Sequence, residues 1–265
     1  MKKRVISAVV ALAIVIPIFI YGGFLFKLGA TIVAALGFKE TLKLKDSHKP
    51  YPLYIVVFGF ATLIFITLNV GGDIYNGLNY AALALAALLL LTPTIFDKKY
   101  NTRDGLYLLG SVVLLGLFFN LLINLYTENK WLILYLFLCA AMTDTFAMLV
   151  GVLIGKHKLI PEVSPKKSVE GSIAGSLVGT AICSIFYYNV VTNNINIGLL
   201  ILITLILTIM GQIGDLFFSK IKRENGIKDF SNLMPGHGGV LDRLDSLSFI
   251  VLTYMVLTFI VTKLF

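Results

Sequence analysis

Apolar runs close to the length of a bilayer crossing follow one another along almost the whole chain, and the segments between them are short and basic. A helix needs ~20 predominantly apolar residues to span the hydrocarbon. Such runs fall roughly at 5–22, 24–39, 51–71, 77–96, 105–126, 131–155, 171–190, 197–219 and 247–264. The expected fold is therefore all-α, a polytopic integral membrane protein with about nine transmembrane helices. Composition agrees: 58% of the 265 residues are hydrophobic and 14% charged, where a soluble domain carries about 25% charged residues. A water-soluble fold could not give that much apolar surface polar cover. The second run is short and carries Lys27, and the first contains Pro17, which a membrane helix tolerates when neighbours satisfy the freed carbonyl.

Charge sets the expected orientation. Lys2, Lys3, Arg4, Lys39, Lys43, Lys45, Lys49, Lys98, Lys99, Arg103, Lys156, Lys158, Lys166, Lys167, Lys220, Lys222, Arg223, Lys228 and Arg243 all fall on one side of the alternation. Lys130 and Lys263 fall on the other. The positive-inside rule makes the first side cytoplasmic, with the N-terminus inside and the C-terminus outside. The net charge of +8 is thereby explained by membrane topology and anionic headgroups, and nucleic acid is not an expected partner. The basic, apolar start reads as a retained first helix rather than a cleaved signal. Cys139 and Cys183 lie inside apolar runs without metal-ligand spacing and read as buried small hydrophobes. Two parts are expected: residues 1–130 with about five helices, and a catalytic membrane region, 131–265, with cytoplasmic loops at 156–170 and 220–246.

Polar chemistry gathers in that second part. Asp215 sits about one turn inside the inner end of its run, where a carboxylate is costly unless it meets a cavity, an ion or a partner. Its purely structural role would be an ion pair with a nearby lysine. Asp242 and Asp245 are spaced i, i+3, so a helix puts both on one face. Either they are acids favoured by a helix N-terminus, or with Asp215 they form an oxygen-only set suited to Mg²⁺. Pro235, Gly236, His237, Gly238 and Gly239 precede them, a loop able to approach phosphate closely. Lys222, Arg223, Lys228 and Arg243 supply cations for polyphosphate or a phospholipid head. Upstream, Pro165, Lys166 and Lys167 form a basic, extended turn before the seventh helix. Asp144, near the middle of the sixth run, is a functional candidate by its depth alone.

Ser219-x-x-Lys222-Arg223, then Lys228-Asp229, then Pro235-x-His237-Gly238-Gly239-x-x-Asp242-Arg243-x-Asp245 resembles the signature of phosphatidate cytidylyltransferases, the CDP-diacylglycerol synthases. The Ser164–Gly171 stretch and the helix of Asp144 resemble further landmarks of that family, in order. The likeness covers about residues 140–250; the first helices match only in hydropathy. Departures are mild: Met234 replaces the usual Leu, Ile or Phe, and Phe218 stands where an acid often precedes the serine.

The resemblance implies the transfer of a cytidylyl group from CTP to phosphatidate, giving CDP-diacylglycerol and pyrophosphate. It further implies Mg²⁺ on Asp215, Asp242 and Asp245, with room for a second cation. Lys222, Arg223, Lys228 and Arg243 would then neutralise the phosphates. Ser219, His237, Gly238, Gly239, Lys166, Lys167 and Asp144 would contact substrate. The expected setting is a bacterial cytoplasmic membrane, with the site facing the cytoplasm among membrane lipids, and a homodimer is compatible with this reading. Two alternatives stay open on the sequence: a cytidylyltransferase or kinase for another lipid, and a cation- or proton-coupled transporter using Asp144.

Overall fold

A computed structural model of the chain describes residues 13–44, 50–69, 77–233 and 238–264. Nearly all of them are helical. Residues 13–21 (α1) lead into α2 (Gly23–Thr41), α3 (Leu53–Leu68), α4 (Gly77–Leu91), a short α5 (Pro93–Phe96) and α6 (Thr102–Glu128). There follow α7 (Lys130–Ile154), strands β1 (Lys158–Ile160) and β2 (Ser164–Ser168), α8 (Val169–Phe186), a π turn (Tyr187–Val191), α9 (Ile197–Glu224) and α10 (Leu241–Leu264). Five described helices are long and apolar enough to cross a membrane: Thr102–Glu128, Lys130–Ile154, Val169–Val191, Ile197–Glu224 and Leu241–Val261. Leu53–Leu68 and Tyr80–Phe96 are apolar but shorter.

Two boundaries differ from the hydropathy reading, each for a local reason. The apolar run ending at residue 219 continues as helix to Glu224, and α9 closes on Asn225 and Gly226. Gly226 takes φ 65° while its amide and that of Ile227 bond back to Arg223 and Lys222. That positive φ is a common glycine helix stop. At the other end α10 begins at Leu241, so Lys220–Arg223 are helical rather than loop, and Asp242 and Asp245 share one helix as their i, i+3 spacing implies. The basic turn before α8 is an antiparallel hairpin, with Lys158 paired to Ser168 and Ile160 to Ser164.

The chain forms two compact units. In the first, Met1–Asn124 with Asp229–Leu241, buried polar groups fasten the helices where lipid offers them no water. The Asn120 amide donates to Ile66 O at 2.9 Å and Asn69 O at 3.1 Å. Tyr100 donates its hydroxyl to Leu90 O at 2.9 Å. Glu40, near the end of α2, is only 3% exposed.

The second unit, Leu125–Lys228 with Asp242–Phe265, is built on a ladder of glycines. A Cβ on Gly171, Gly175 or Gly179 of α8 would lie 2.4 Å from Ala147 O, 2.6 Å from Thr143 O and 2.8 Å from Thr143 Oγ1 of α7. Bare backbone at every fourth position is how membrane helices approach closely, since lipid gives no hydrophobic drive between them. Between α8 and α9, Gln212 donates to Ser176 Oγ at 2.7 Å and Ser172 O at 3.1 Å, and accepts from Ser172 Oγ. Tyr135 of α7 meets Thr204 of α9 at 2.8 Å.

Candidate active site

The site of the second unit starts from one glycine. A Cβ on Gly214 would lie 2.6 Å from Asp245 O and 2.9 Å from the Phe249 side chain, and one on Gly211 would meet Ile250 at 2.7 Å. At Gly214 α9 closes on the backbone of α10, and at Gly211 it takes in the Ile250 side chain. The crossing makes neighbours of Asp215, the residue after Gly214, and Asp245, which are 30 positions apart in sequence. Asp215 and Asp245 act on each other electrostatically, and Asp144 of α7 acts on both. Three helices thus converge their acids.

Lysines answer that charge. Lys167 Nζ lies 2.5 Å from Asp215 Oδ2, both side chains about a quarter exposed. Lys222 Nζ lies 2.7 Å from Asp242 Oδ1, and this pair is nearly buried, at 10% and 6% exposure. Ser219 donates to Asp215 Oδ1 at 3.2 Å, the i, i+4 contact of a continuous helix. The ion pair that gives Asp215 a structural role therefore exists, with Lys167 as its partner. Strand alternation explains why only one of the paired lysines takes part: neighbours on β2 point to opposite faces. Lys167 turns to Asp215 while Lys166 is exposed.

The hairpin carrying Lys167 is itself held. Ser168 caps α8, accepting from Gly171 N at 3.2 Å, and its hydroxyl fits against Gly151 and Gly155, where a Cβ would come within 2.9 and 2.5 Å. Glu170 accepts from Lys156 N at 3.1 Å and His157 N at 3.2 Å, and meets His157 Nδ1 at 2.6 Å. Arg223 bonds Val163 O at 3.4 Å and Ile227 O at 3.2 Å, joining the hairpin tip to the end of α9. Lys228 and Arg243 are exposed. Asp144 is exposed although it lies mid-helix in an apolar segment.

In the first unit, Gly238 is buried at φ 85°, and Gly239 packs on Glu40. His237, Pro235 and Gly236 lie outside the described residues. Sequence reasoning passed over Glu40, Gln212 and the Glu170–His157 pair. Depth within an apolar run is the signal that marks Asp144, and it applies equally to Gln212; Glu40, just past the end of its run, carries no such local signal.

An oxygen-only donor set suits a hard divalent cation, and Asp144, Asp215, Asp242 and Asp245 offer carboxylates alone. In this arrangement lysines occupy Asp215 and Asp242, and no three Asp, Glu, His or Cys side chains among the described residues group tightly enough to hold one ion.

Helices long and apolar enough to cross a membrane, carrying a cluster of carboxylates and lysines, define a helical membrane protein. More particularly, the chain belongs to the cytidylyltransferase family, whose model matches residues 2–261. It is 37% identical over 256 residues to a phosphatidate cytidylyltransferase of Staphylococcus haemolyticus, covering 95% of this chain and 96% of that one. It is 35% identical over 256 residues to the Staphylococcus saprophyticus protein of the same name, with the same coverage. Against that of Staphylococcus aureus it is 34% identical over 253 residues, again covering 95% of this chain and 96% of the relative.

Proposed function

We propose that this chain is a phosphatidate cytidylyltransferase, joining CTP and phosphatidate to give CDP-diacylglycerol and pyrophosphate. The observation that carries the reading is near-full-length similarity to enzymes of that name, and the acid–lysine cluster supplies matching chemistry. A lipid phosphate oxygen attacks the α-phosphorus of CTP. The new P–O bond forms as the bond to the β-phosphate oxygen breaks, and pyrophosphate leaves with that electron pair. The nucleophile is part of the substrate and already ionised near neutral pH, so the protein contributes position and charge rather than a covalent nucleophile.

Lys167 and Lys222 are the cations nearest the acids, and both can turn from carboxylate to phosphate. Arg223, Lys228 and Arg243, at the outer edge of the same helix ends, would receive polyphosphate or the lipid head. Ser219 and His237 would orient phosphate oxygens, and Lys166 would face the approach. With Lys167 and Lys222 turned to phosphate, Asp215, Asp242 and Asp245 would be the carboxylates left to gather Mg²⁺, beside Asp144. When bound, that ion supplies charge neutralisation for the pyrophosphate.

The full topology belongs to the same reading: nine spans, N-terminus inside, C-terminus outside, in a bacterial cytoplasmic membrane. The acyl chains then stay in lipid while CTP reaches the inner boundary. Bias of Lys and Arg toward one side supports it.

The test is the purified chain in detergent or bilayers with labelled CTP and phosphatidate, with ATP, dCTP and chelator as controls. CDP-diacylglycerol and pyrophosphate in equal amounts are expected. CTP left intact under conditions where a staphylococcal relative turns over would overturn the reading.

A further inference from the structure

Glu40 stands almost two hundred residues away in sequence from Ser231, Val240 and Leu241, yet its carboxylate bonds all three. Oε1 accepts from Ser231 Oγ at 2.6 Å and Val240 N at 2.9 Å, and Oε2 accepts from Leu241 N at 2.9 Å. A carboxylate buried to 3% exposure is tolerated because three donors meet it. Val240 N and Leu241 N are orphan amides of the α10 N-terminus, where the helix dipole also favours negative charge. A Cβ on Gly239 would lie 2.5 Å from Oε1 and 2.6 Å from Oε2. One helical turn before Glu40, Gly37 leaves room for Leu241, whose Cδ2 would lie 3.3 Å from a Cβ there.

We infer that Glu40 is a positioning residue for nucleotidyl transfer: it ties Ser231 to Val240 and Leu241 and fixes where the chain enters α10, on which Asp242 and Asp245 are the second and fifth residues. The bareness of Gly239 then serves the approach of Glu40, and the first amides of α10 carry this internal carboxylate instead of a substrate phosphate. Phosphate contacts from this stretch are left to other groups. The inference rests on the CTP-dependent reaction proposed above, since that is the chemistry the loop's position serves.

The experiment uses the full chain in detergent, with kcat and KM for CTP measured per folded molecule and melting temperature followed in parallel. Glu40→Gln keeps the size but turns an NH₂ toward at least one backbone N–H. We expect kcat to fall roughly 10- to 100-fold, the scale of an ångström-level misplacement, while KM for CTP stays within about threefold. A merely structural role would lower the melting temperature and leave kcat per folded molecule alone. Gly239→Ala should act similarly by collision. Glu40→Asp retracts the carboxylate by one methylene, so Glu40→Asp/Gly239→Ala should be more active and more heat-stable than Gly239→Ala by itself.

Kcat near wild type in Glu40→Gln and Gly239→Ala overturns the inference. So does CTP binding tightened tenfold or more by Glu40→Gln, which would mean the carboxylate fills a phosphate seat. If Glu40→Gln does not fold, the double variant decides, and no recovery over Gly239→Ala counts against the clamp. A wild-type chain that makes no CDP-diacylglycerol would refute the assigned reaction, and the melting temperatures of the same pair would still test the clamp.

Discussion

At the residue scale the Lys222–Asp242 pair separates folding from chemistry. With 10% and 6% of the side chains exposed, removing the lysine leaves a buried carboxylate without its closest counter-charge, a loss of about 3–5 kcal/mol for a buried pair. Lys222→Met should therefore both lower the melting temperature and abolish turnover. Lys222→Met/Asp242→Asn removes both charges and should recover most of the stability while staying inactive. Thermal melting and CDP-diacylglycerol assays on the same samples check this; recovered turnover in the double variant would remove Asp242 from the chemistry. Asp215→Asn and Asp245→Asn should each cost roughly 10²-fold or more in kcat if they neutralise developing charge, whereas Lys166→Met, on the exposed face of β2, should cost less than tenfold.

The same residues show what the sequence could reveal. Depth in an apolar run marked Asp144 and Asp215, and i, i+3 spacing paired Asp242 with Asp245, because both signals are local. That Lys167 rather than Lys166 reaches Asp215 depends on strand alternation within a hairpin that hydropathy does not register. Glu40 was hidden because its three donors lie 191 to 201 positions away, a distance no periodicity spans.

At the element scale, close helix packing rests on missing side chains. The α7–α8 contact places Gly175 where a Cβ would be 2.6 Å from a backbone oxygen, which cannot move aside as a side-chain tip can. Gly175→Ala should cost about 1–3 kcal/mol, the usual penalty of overpacking. Gly110 of α6 has nothing within 4 Å of its Cβ position, so Gly110→Ala should be neutral or stabilising. Melting temperatures in one detergent check the contrast, and equal losses would deny the ladder its role. Gly214→Ala is the informative third variant: it presses on Asp245 O, so activity should fall by a larger factor than stability explains. Helix positions were largely legible from apolar run length. The ends were not, because α9 continues through Ser219–Arg223, a mostly polar stretch that can form helix wherever the next turn's caps are satisfied.

For the whole molecule the open quantity is which side of the membrane each connection faces. Under the positive-inside reading Lys158, on the hairpin, is cytoplasmic, and Glu128, at the end of α6, is external. Both are exposed, and the native thiols, Cys139 and Cys183, are fully buried. The native chain should therefore be silent toward a membrane-impermeant maleimide, so that single cysteines can be added without deleting the native ones. In intact cells Glu128→Cys should label and Lys158→Cys should not; after permeabilisation both should label. The reverse pattern would put the acid–lysine cluster on the face away from cytoplasmic CTP, and the reaction would then need another nucleotide supply. Labelling of both in intact cells would mean that the chain does not keep one orientation. The expected pattern matters for the chemistry because a charged nucleotide cannot cross the hydrocarbon: in the proposed reaction Asp215, Asp242 and Asp245 would have to meet CTP on the side where Lys158 and the hairpin stand.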